Sequence, residues 1–343
     1  MLKEDATSRS GNIALLGLVV LLAAFVAALN VESSNQLDAT RAFVVDYRDA
    51  DTGVEKLLVQ GDGQFFGMLA QDPTLARPEA LSLSDVEGQF AYRAMRPAFG
   101  WLGWALSAGQ PDLVPWALVA LTVVSVGLLY IGVEQLALRL GRDPRVAVLV
   151  IVLPGVLRVL GRTGPEIAAA GFACLAVVAA LDGNERRAVA HLVAAVLLRE
   201  TLVLVVAGLV LARCLRLRWA VVPPAVLAVW VGIVVLRVGA LPGGGGRFSL
   251  GGLVEASSAW GPGDWLVVVP LPVLMVIASL RSPLALALVL PHLALMVVMG
   301  ASTGVITSVV RIVLPLYALL LPFASPRVGE TSAASSGRLA WAP

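Results

Sequence analysis

Residues 115–138, PWALVALTVVSVGLLYIGVEQLAL, decide the fold. The stretch contains one carboxylate, Glu134, and neither lysine nor arginine. A helix needs about 20 apolar residues to cross ~30 Å of hydrocarbon. The stretch therefore predicts a membrane-spanning helix. Arg139, Arg142 and Arg145 follow it directly, and this basic end is expected to face the cytoplasm.

The remainder of the chain repeats this pattern. It has 343 residues, of which 58% are hydrophobic and 14% charged, whereas soluble domains carry roughly 25% charged residues. We therefore predict an all-α integral membrane protein with about ten transmembrane helices. The predicted spans are 12–30, which is expected to stay uncleaved, 115–138, 146–161, 165–181, 187–198, 201–213, 219–240, 264–280, 283–300 and 304–324.

Composition also narrows the class of function. The net charge of +2 gives no basis for nucleic-acid binding. The expected partner of the apolar surface is the lipid bilayer. Two cysteines, Cys174 and Cys214, provide no disulfide framework, and the chain has no Cys/His metal spacing. His191 and His292 lie in separate apolar segments and are interpreted as packed helix residues.

Charge distribution predicts the topology. The short loops expected inside are basic, whereas the long loop 31–112 carries most of the acids, which favours a multi-pass plasma (inner) membrane protein with cytoplasmic termini. Residues 1–215 form the first unit, including this outer loop. Residues 216–324 supply the C-terminal helices and a glycine-rich outer loop, 241–263. Residues 325–343 are expected to be a disordered cytoplasmic tail.

The stretch 186–215 predicts a break. One continuous helix would bury Arg199 and Glu200 at mid-bilayer, where a charge costs about 2.5–3.5 kcal/mol on insertion scales. It would also send one of the two flanking basic clusters to the outside. Two short helices broken at Arg199-Glu200-Thr201 avoid both problems, and they require a polar cavity above the break.

The long loop carries two short motifs. Gly61-Asp62-Gly63-Gln64-Phe65 places a carboxylate between glycines. There Asp62 serves either as a helix cap or as a general base. Glu87, in a second Gly-Gln-Phe phrase, is the weaker candidate acid. Tyr92-Arg93-Ala94-Met95-Arg96 offers two guanidiniums three residues apart. These would share one helical face and bind either a phosphate or lipid headgroups.

A short aromatic helix is predicted directly after the second motif. Residues 97–108 begin with proline and end before Gly109, which is typical of helix limits. About twelve residues are too few to span a bilayer. Trp101 and Trp104 are therefore interpreted as an interfacial aromatic belt.

The order of these motifs resembles the GT-C superfamily of membrane glycosyltransferases, closest to its bacterial cell-surface-polysaccharide branch. The matching features are the first span, the GDGQF loop, the YRAMRP phrase, the RTGPE turn and the LLRET break, over roughly residues 12–215. Residues 216–343 match only as generic spans. The chain is short for the superfamily and has no soluble C-terminal domain.

The resemblance implies a function. Such enzymes move a sugar from a polyprenyl-phosphate donor to a glycan or lipid-linked acceptor outside the membrane. Asp62 would be the catalytic carboxylate, acting either as general base or as ligand of a divalent metal. No other cofactor is expected. Glu200 is interpreted as the partner that orients Arg199. The residues expected to bind the donor phosphate or sugar are Gln64, Arg93, Arg96, Glu166, Arg199, Glu200 and Arg311.

Two alternative functions stay open. A transporter or flippase for lipid-linked saccharides also uses broken helices with a midplane ion pair, but it needs a polar inner vestibule. A non-catalytic GT-C-like scaffold for polysaccharide assembly would use the same loop as an interaction surface. The enzymatic hypothesis requires that Asp62 and Arg199 meet in one aqueous pocket.

Overall fold

The computed structural model describes residues 2–34, 53–59, 62–76, 87–240, 257–258, 260–262, 265, 268–298 and 306–327. Over these residues all regular structure is helical, apart from one isolated antiparallel bridge between Arg142 and Arg327. The helices are α1 (Leu2–Ser34), α2 (Gly53–Val59), α3 (Gly63–Gln71), α4 (Glu87–Ala94), α5 (Pro97–Ser107), α6 (Val114–Arg139), α7 (Pro154–Leu160), α8 (Glu166–Leu181), α9 (Glu185–Leu198), α10 (Val203–Leu211), α11 (Leu217–Ala220), α12 (Val222–Val238), α13 (Pro270–Arg281), α14 (Pro283–Val298) and α15 (Ile306–Ala324).

Three helical stretches in the described part of the chain are long and apolar enough to cross a membrane: Asn12–Asn30, Pro111–Arg139 and Leu217–Val238. They coincide with the predicted spans 12–30, 115–138 and 219–240. Shorter apolar helices cover parts of five further predicted spans, and the total of about ten stays a prediction. These shorter segments are Glu166–Leu181, Glu200–Leu211, Pro270–Arg281, Pro283–Met296 and Val310–Ala324.

The predicted single helix over 146–161 is wrong. A 3-10 segment, Pro144–Val152, is followed by the short helix α7. Leu153 between them is extended, with φ −62° and ψ 128°. Proline disfavours the α conformation in the residue before it, so Pro154 ends the first segment and starts α7 as its first residue.

The predicted break after Leu198 is present. Arg199 is extended, with φ −152° and ψ 111°, and caps the end of α9. A 3-10 turn, Glu200–Leu202, then leads into α10. The two charged side chains are thereby displaced from the continuous helix that the apolar pattern alone would favour.

Helix α8 lies at the centre of the bundle and packs against α6, α9 and α15. Small residues allow the close approach of α6 and α8. A Cβ atom on Gly132 would lie 2.8 Å from the Gly171 carbonyl oxygen, and one on Gly171 would lie 3.0 Å from the Leu129 nitrogen. Close packing through glycine is a common way for apolar helices to associate without a hydrophobic driving force.

The helices of the first long loop pack onto this bundle. The predicted helix 97–108 is α5, which ends where Ala108 adopts a left-handed φ of 50°. Helix α5 lies against α3 and α6, with the rings of Phe66 and Phe99 edge to face at 5.4 Å. Much of the remainder of 31–112, most of 241–263 and residues 328–343 of the predicted tail lie outside the described residues.

The interfacial position of the two α5 tryptophans stays a prediction, and Trp101 also makes contacts within the protein. Its indole nitrogen donates to the Pro73 carbonyl at 2.9 Å, and its ring packs edge-on against Trp230 at 4.9 Å. Trp101 therefore fastens α5 to α12 and to the turn after α3. Trp104 is 46% exposed, so this tryptophan is available to an interface.

Candidate functional site

Charged side chains converge where several helix ends meet. Asp62 precedes α3, Arg93 lies in the last turn of α4, and Arg96 immediately precedes α5. The break after α9 supplies a further pair, and α8 and α15 each supply one residue. The arginine–carboxylate cluster consists of Asp62, Arg93, Arg96, Glu166, Arg199, Glu200 and Arg311.

Asp62 is held by two guanidiniums. Its Oδ1 accepts from Arg93 Nε at 3.0 Å, and its Oδ2 accepts from an Arg311 terminal nitrogen at 2.8 Å. The Arg93 guanidinium also lies over the Phe65 ring, 4.7 Å from its centroid. Asp62 occupies the N-cap position of α3, but its side chain makes no capping hydrogen bond. The interpretation of Asp62 as a cap is therefore wrong.

Gly63 is required for this placement of Asp62. A Cβ atom at position 63 would lie 3.1 Å from the Leu58 Cα and carbonyl oxygen, and 3.3 Å from the Arg162 carbonyl oxygen. Backbone on both sides leaves no room for a side chain. The glycine lets the start of α3 press against the turn that follows α7, and this turn leads directly to Glu166.

Glu166 is the buried centre of the cluster, with its side chain fully inaccessible. Its Oε1 accepts from Arg199 at 2.7 Å and from Arg311 Nε at 3.1 Å, and a second Arg311 nitrogen also contacts it. As the first residue of α8, Glu166 also faces the positive end of the helix dipole. Its Oε2 has no hydrogen-bond partner within the described chain.

Arg96 and Glu200 form a second, bidentate ion pair. Arg96 Nε donates to Glu200 Oε2 at 2.5 Å, and a terminal nitrogen donates to Oε1 at 2.7 Å. That terminal nitrogen also donates to the Tyr92 hydroxyl at 2.6 Å, and this hydroxyl reaches Glu200 Oε1 at 3.4 Å. Fork-to-fork geometry of this kind fixes both side chains in orientation as well as in charge.

Two predicted relationships within the cluster need correction. Glu200 does not hold Arg199: it pairs with Arg96, while Arg199 pairs with Glu166. Arg93 and Arg96 do not share one helical face, because α4 ends at Ala94 and Arg96 lies in the connection to α5. The two arginines consequently pair with different carboxylates: Arg93 with Asp62, and Arg96 with Glu200.

The loop carboxylate and the break arginine belong to one cluster and are linked through intermediates, while a shared aqueous pocket stays a prediction. Asp62 contacts Arg311, Arg311 contacts Glu166, and Glu166 contacts Arg199. Arg311 thus points into the cluster rather than toward lipid, as predicted. Gln64 lies one helical position inside α3 and is 1% exposed.

Electrostatics sets the protonation states in the loop part of the cluster. Burial alone raises the pKa of Asp62, but Arg311, Arg93 and Arg96 outweigh that effect, and the pKa lies well below its ordinary value. Burial lowers the pKa of Arg96, yet Glu200 and Tyr92 outweigh it, and the pKa lies well above its ordinary value. Both groups are therefore charged throughout the physiological pH range.

The members of the cluster differ in exposure. The side chains of Asp62, Arg93, Arg311 and Glu200 keep 16%, 19%, 13% and 19% of their exposure, whereas Arg199 keeps 5% and Glu166 none. A ligand would therefore reach Asp62 or Glu200 before Glu166. Charges in the buried part of the cluster act in a low-dielectric environment, where their interactions are strong.

Sequence reasoning missed three members of the surroundings. Tyr92 bridges Arg96 and Glu200, as described above. Arg158 and Arg162, at the end of α7, lie in electrostatic range of Arg311, and Arg162 also of Asp62. A signal for Arg158 existed, since an arginine inside a predicted span is expected to face a polar interior.

A divalent metal does not suit Asp62 in this arrangement. Both of its oxygens accept from guanidiniums, so a cation there would displace one positive group and stand beside others. Across the described residues there is no group of three or more His, Cys, Asp or Glu side chains that could hold a metal ion. The surplus of arginine instead favours an anionic ligand.

Comparisons with known proteins identify no relative of this chain, so any functional inference rests on the geometry of the cluster. No family model, no curated protein and no solved structure matches the chain.

Proposed function

We propose that the chain is a membrane glycosyltransferase that moves a sugar from a polyprenyl-phosphate donor to a glycan or lipid-linked acceptor. The observation that carries this proposal is the contact of one partly open carboxylate, Asp62, with arginines on two different elements. A base beside a phosphate-binding set of guanidiniums is what displacement of a lipid phosphate requires.

Donor binding would activate Asp62. At rest both of its oxygens are occupied by guanidiniums, which makes it a weak base. A donor phosphate offers Arg93 and Arg311 a competing anion with suitable bidentate geometry. As these arginines turn toward the phosphate, the remaining effect of burial raises the pKa of Asp62 toward that of a useful base. Activation is thereby coupled to the presence of donor.

The transfer step then follows. Asp62 accepts the proton of the acceptor hydroxyl while the oxygen of that hydroxyl forms a bond to the anomeric carbon. The bond from that carbon to the phosphate oxygen breaks, and the lipid phosphate leaves with its electron pair. Arg311 and Arg199 stabilise the charge that grows on this leaving group, because they are already oriented by Glu166.

We place this site on the extracytoplasmic side. Arg139 pairs with Asp182 after the C-terminus of α8, whereas Glu166 stands at the N-terminus of the same helix. Arg216 and Arg281 also bind at the Asp182 end of the bundle. Basic residues gather on the cytoplasmic side of membrane proteins, which supports an orientation with the cluster outside.

The test is the release of prenyl phosphate. The purified chain in nanodiscs is supplied with a panel of farnesyl-phosphate hexoses and pentoses and a lipid extract as acceptor. Asp62→Asn is expected to lower release by about 10²–10⁴-fold, the usual contribution of a general base. Chromatography of free farnesyl phosphate measures the product whichever sugar is used.

Asp72→Asn is the matched control, because Asp72 lies in the same segment and accepts hydrogen bonds from the nearby Thr74 and Ala76. It is expected to keep wild-type release. Asp62→Glu, which retains the charge, should show intermediate activity and guards against loss through misfolding. Wild-type release by well-folded Asp62→Asn would refute the role of Asp62 as base, and absence of release by the wild type would refute the proposed activity. Movement of the intact donor across the bilayer without release would favour a flippase.

A further inference from the structure

Arg158 and Arg162 form a pair of cations that the proposed reaction does not yet use. Arg158 lies in the last turn of α7, and Arg162 follows four residues later, just beyond the helix end. Because α7 ends at Leu160, the two arginines lie close in sequence at the end of the helix rather than on one helical face. Both arginines are half-buried, and each lies within electrostatic range of Arg311.

Neither arginine forms an ion pair in the part of the chain that the structure describes, although Asp62 acts electrostatically on Arg162. The nearest carboxylates are already engaged: Asp62 by Arg93 and Arg311, and Glu166 by Arg199 and Arg311. Arg158 Nε is buried without a hydrogen-bond partner there. An unsatisfied buried donor of a charged group is costly, and repulsion between Arg158 and Arg162 adds to the cost.

The charge balance points the same way. The arginine–carboxylate cluster has four arginines against three carboxylates, and Arg158 with Arg162 brings the arginines to six. A single phosphate monoester at the cluster leaves these two cations uncompensated. The adjacent surface of α7 is apolar and open, with Leu157 at 42% exposure. A ligand here would place an anionic group beside a hydrocarbon chain.

We propose that Arg158 and Arg162 form a second anion subsite, which binds the diphosphate of a lipid-linked acceptor. The assignment of this ligand rests on the proposed function, because it takes the first phosphate to lie at Arg199 and Arg311. Two guanidiniums near enough to repel each other suit the several oxygens of a diphosphate. The site would then receive two lipids, a monophosphate donor and a diphosphate acceptor, with Asp62 between their phosphates.

The experiment measures binding rather than transfer. Farnesyl phosphate and farnesyl diphosphate are titrated calorimetrically into the full chain in phosphatidylcholine nanodiscs. Arg158→Gln and Arg162→Gln are each expected to weaken diphosphate binding by about tenfold, the effect of one charge-assisted hydrogen bond. Monophosphate binding should stay within about twofold. In the wild type, saturating monophosphate should leave the diphosphate able to bind.

Arg237→Gln is the matched control, since Arg237 is an exposed arginine in the last turn of α12, and it should change neither affinity. Equal loss of both ligands in the α7 variants, or wild-type diphosphate binding by them, would overturn the proposal. So would loss of diphosphate binding in phosphatidylglycerol nanodiscs, which would assign the pair to lipid headgroups. Absence of prenyl phosphate release by the wild type would refute the glycosyltransferase proposal while leaving this binding result intact.

Discussion

Arginine–carboxylate pairs lie at both ends of the bundle, and they differ in environment rather than in distance. At one end Arg199 and Glu166 are 2.7 Å apart, with 5% and 0% side-chain exposure. At the other end Arg139 and Asp182 are 2.6 Å apart, with 47% and 46% exposure. Water screens the second pair and is excluded from the first.

The difference in side-chain exposure separates the arginine–carboxylate cluster from the ion pairs at the surface. An exposed ion pair contributes about 0–1 kcal/mol to stability. The ion pairs at the exposed end, such as Arg139–Asp182, therefore add little to the stability of the fold. Buried charges lose hydration that their partners only partly replace. An apolar core would be cheaper to build, so the presence of three carboxylates and four arginines in the cluster supports the proposal that the cluster binds a ligand.

The largest expected effect comes from removing the buried carboxylate at the centre. Glu166→Gln leaves Arg199 and Arg311 without their shared anion, and breaking a buried pair in this way costs about 3–5 kcal/mol. Asp182→Asn, the equivalent change at the exposed end, should cost about 0–1 kcal/mol. Thermal unfolding of both variants in nanodiscs measures the contrast. Similar losses in the two variants would show that burial does not distinguish the ends.

A smaller effect is expected from the glycine that makes room for Glu166. A Cβ atom at position 164 would lie 2.4 Å from Glu166 Oε2, so Gly164→Ala must displace that carboxylate. Overpacking of this kind typically costs about 1–3 kcal/mol. Gly232→Ala provides the contrast, because no atom lies within 4 Å of its added Cβ. Alanine should there stabilise the helix by roughly 0.5–1 kcal/mol.

Melting temperatures of the two glycine variants should thus move in opposite directions. A rise in both would mean that Glu166 adopts another rotamer at no cost, and the buried part of the cluster would then be less constrained than its contacts indicate. Tight packing against a charged group, rather than charge alone, would no longer distinguish the two ends.

Local sequence signals predicted the helix α6 and the break at Arg199. A long apolar run and the cost of charges in hydrocarbon are properties of neighbouring residues, so they can be evaluated without tertiary structure. The same applies to α5, bounded by Pro97 and the left-handed Ala108. The split at Pro154 was also visible locally, but hydropathy outweighed it in the prediction.

The partners within the cluster could not be predicted in this way. Arg311 reaches Asp62 across 249 positions of sequence, and Arg96 reaches Glu200 across 104. Which carboxylate each arginine takes depends on how α3, α5 and α15 pack. Adjacency in sequence suggested Glu200 as the partner of Arg199, whereas the extended backbone at Arg199 turns the two side chains toward different partners.

The smallest effect concerns a neutral group. Tyr92→Phe removes a hydroxyl that accepts from Arg96 at 2.6 Å. The net loss for one hydrogen bond to a charged group is about 1.5 kcal/mol. Arg139→Gln deletes a whole charge at the exposed end yet should cost about 0–1 kcal/mol. A single hydroxyl bonded to a buried arginine is therefore expected to contribute at least as much to stability as an exposed ion pair.

Added salt should distinguish the hydrogen bond between Tyr92 and Arg96 from the exposed ion pair of Arg139. At 1 M ionic strength the Debye length falls to about 3 Å, so the difference between Arg139→Gln and the wild type in melting temperature should largely disappear. The difference for Tyr92→Phe should persist, because ions do not reach the buried Arg96. If added salt also removed the Tyr92→Phe difference, water and ions would have access to Arg96, and the cluster would resemble the exposed end of the bundle.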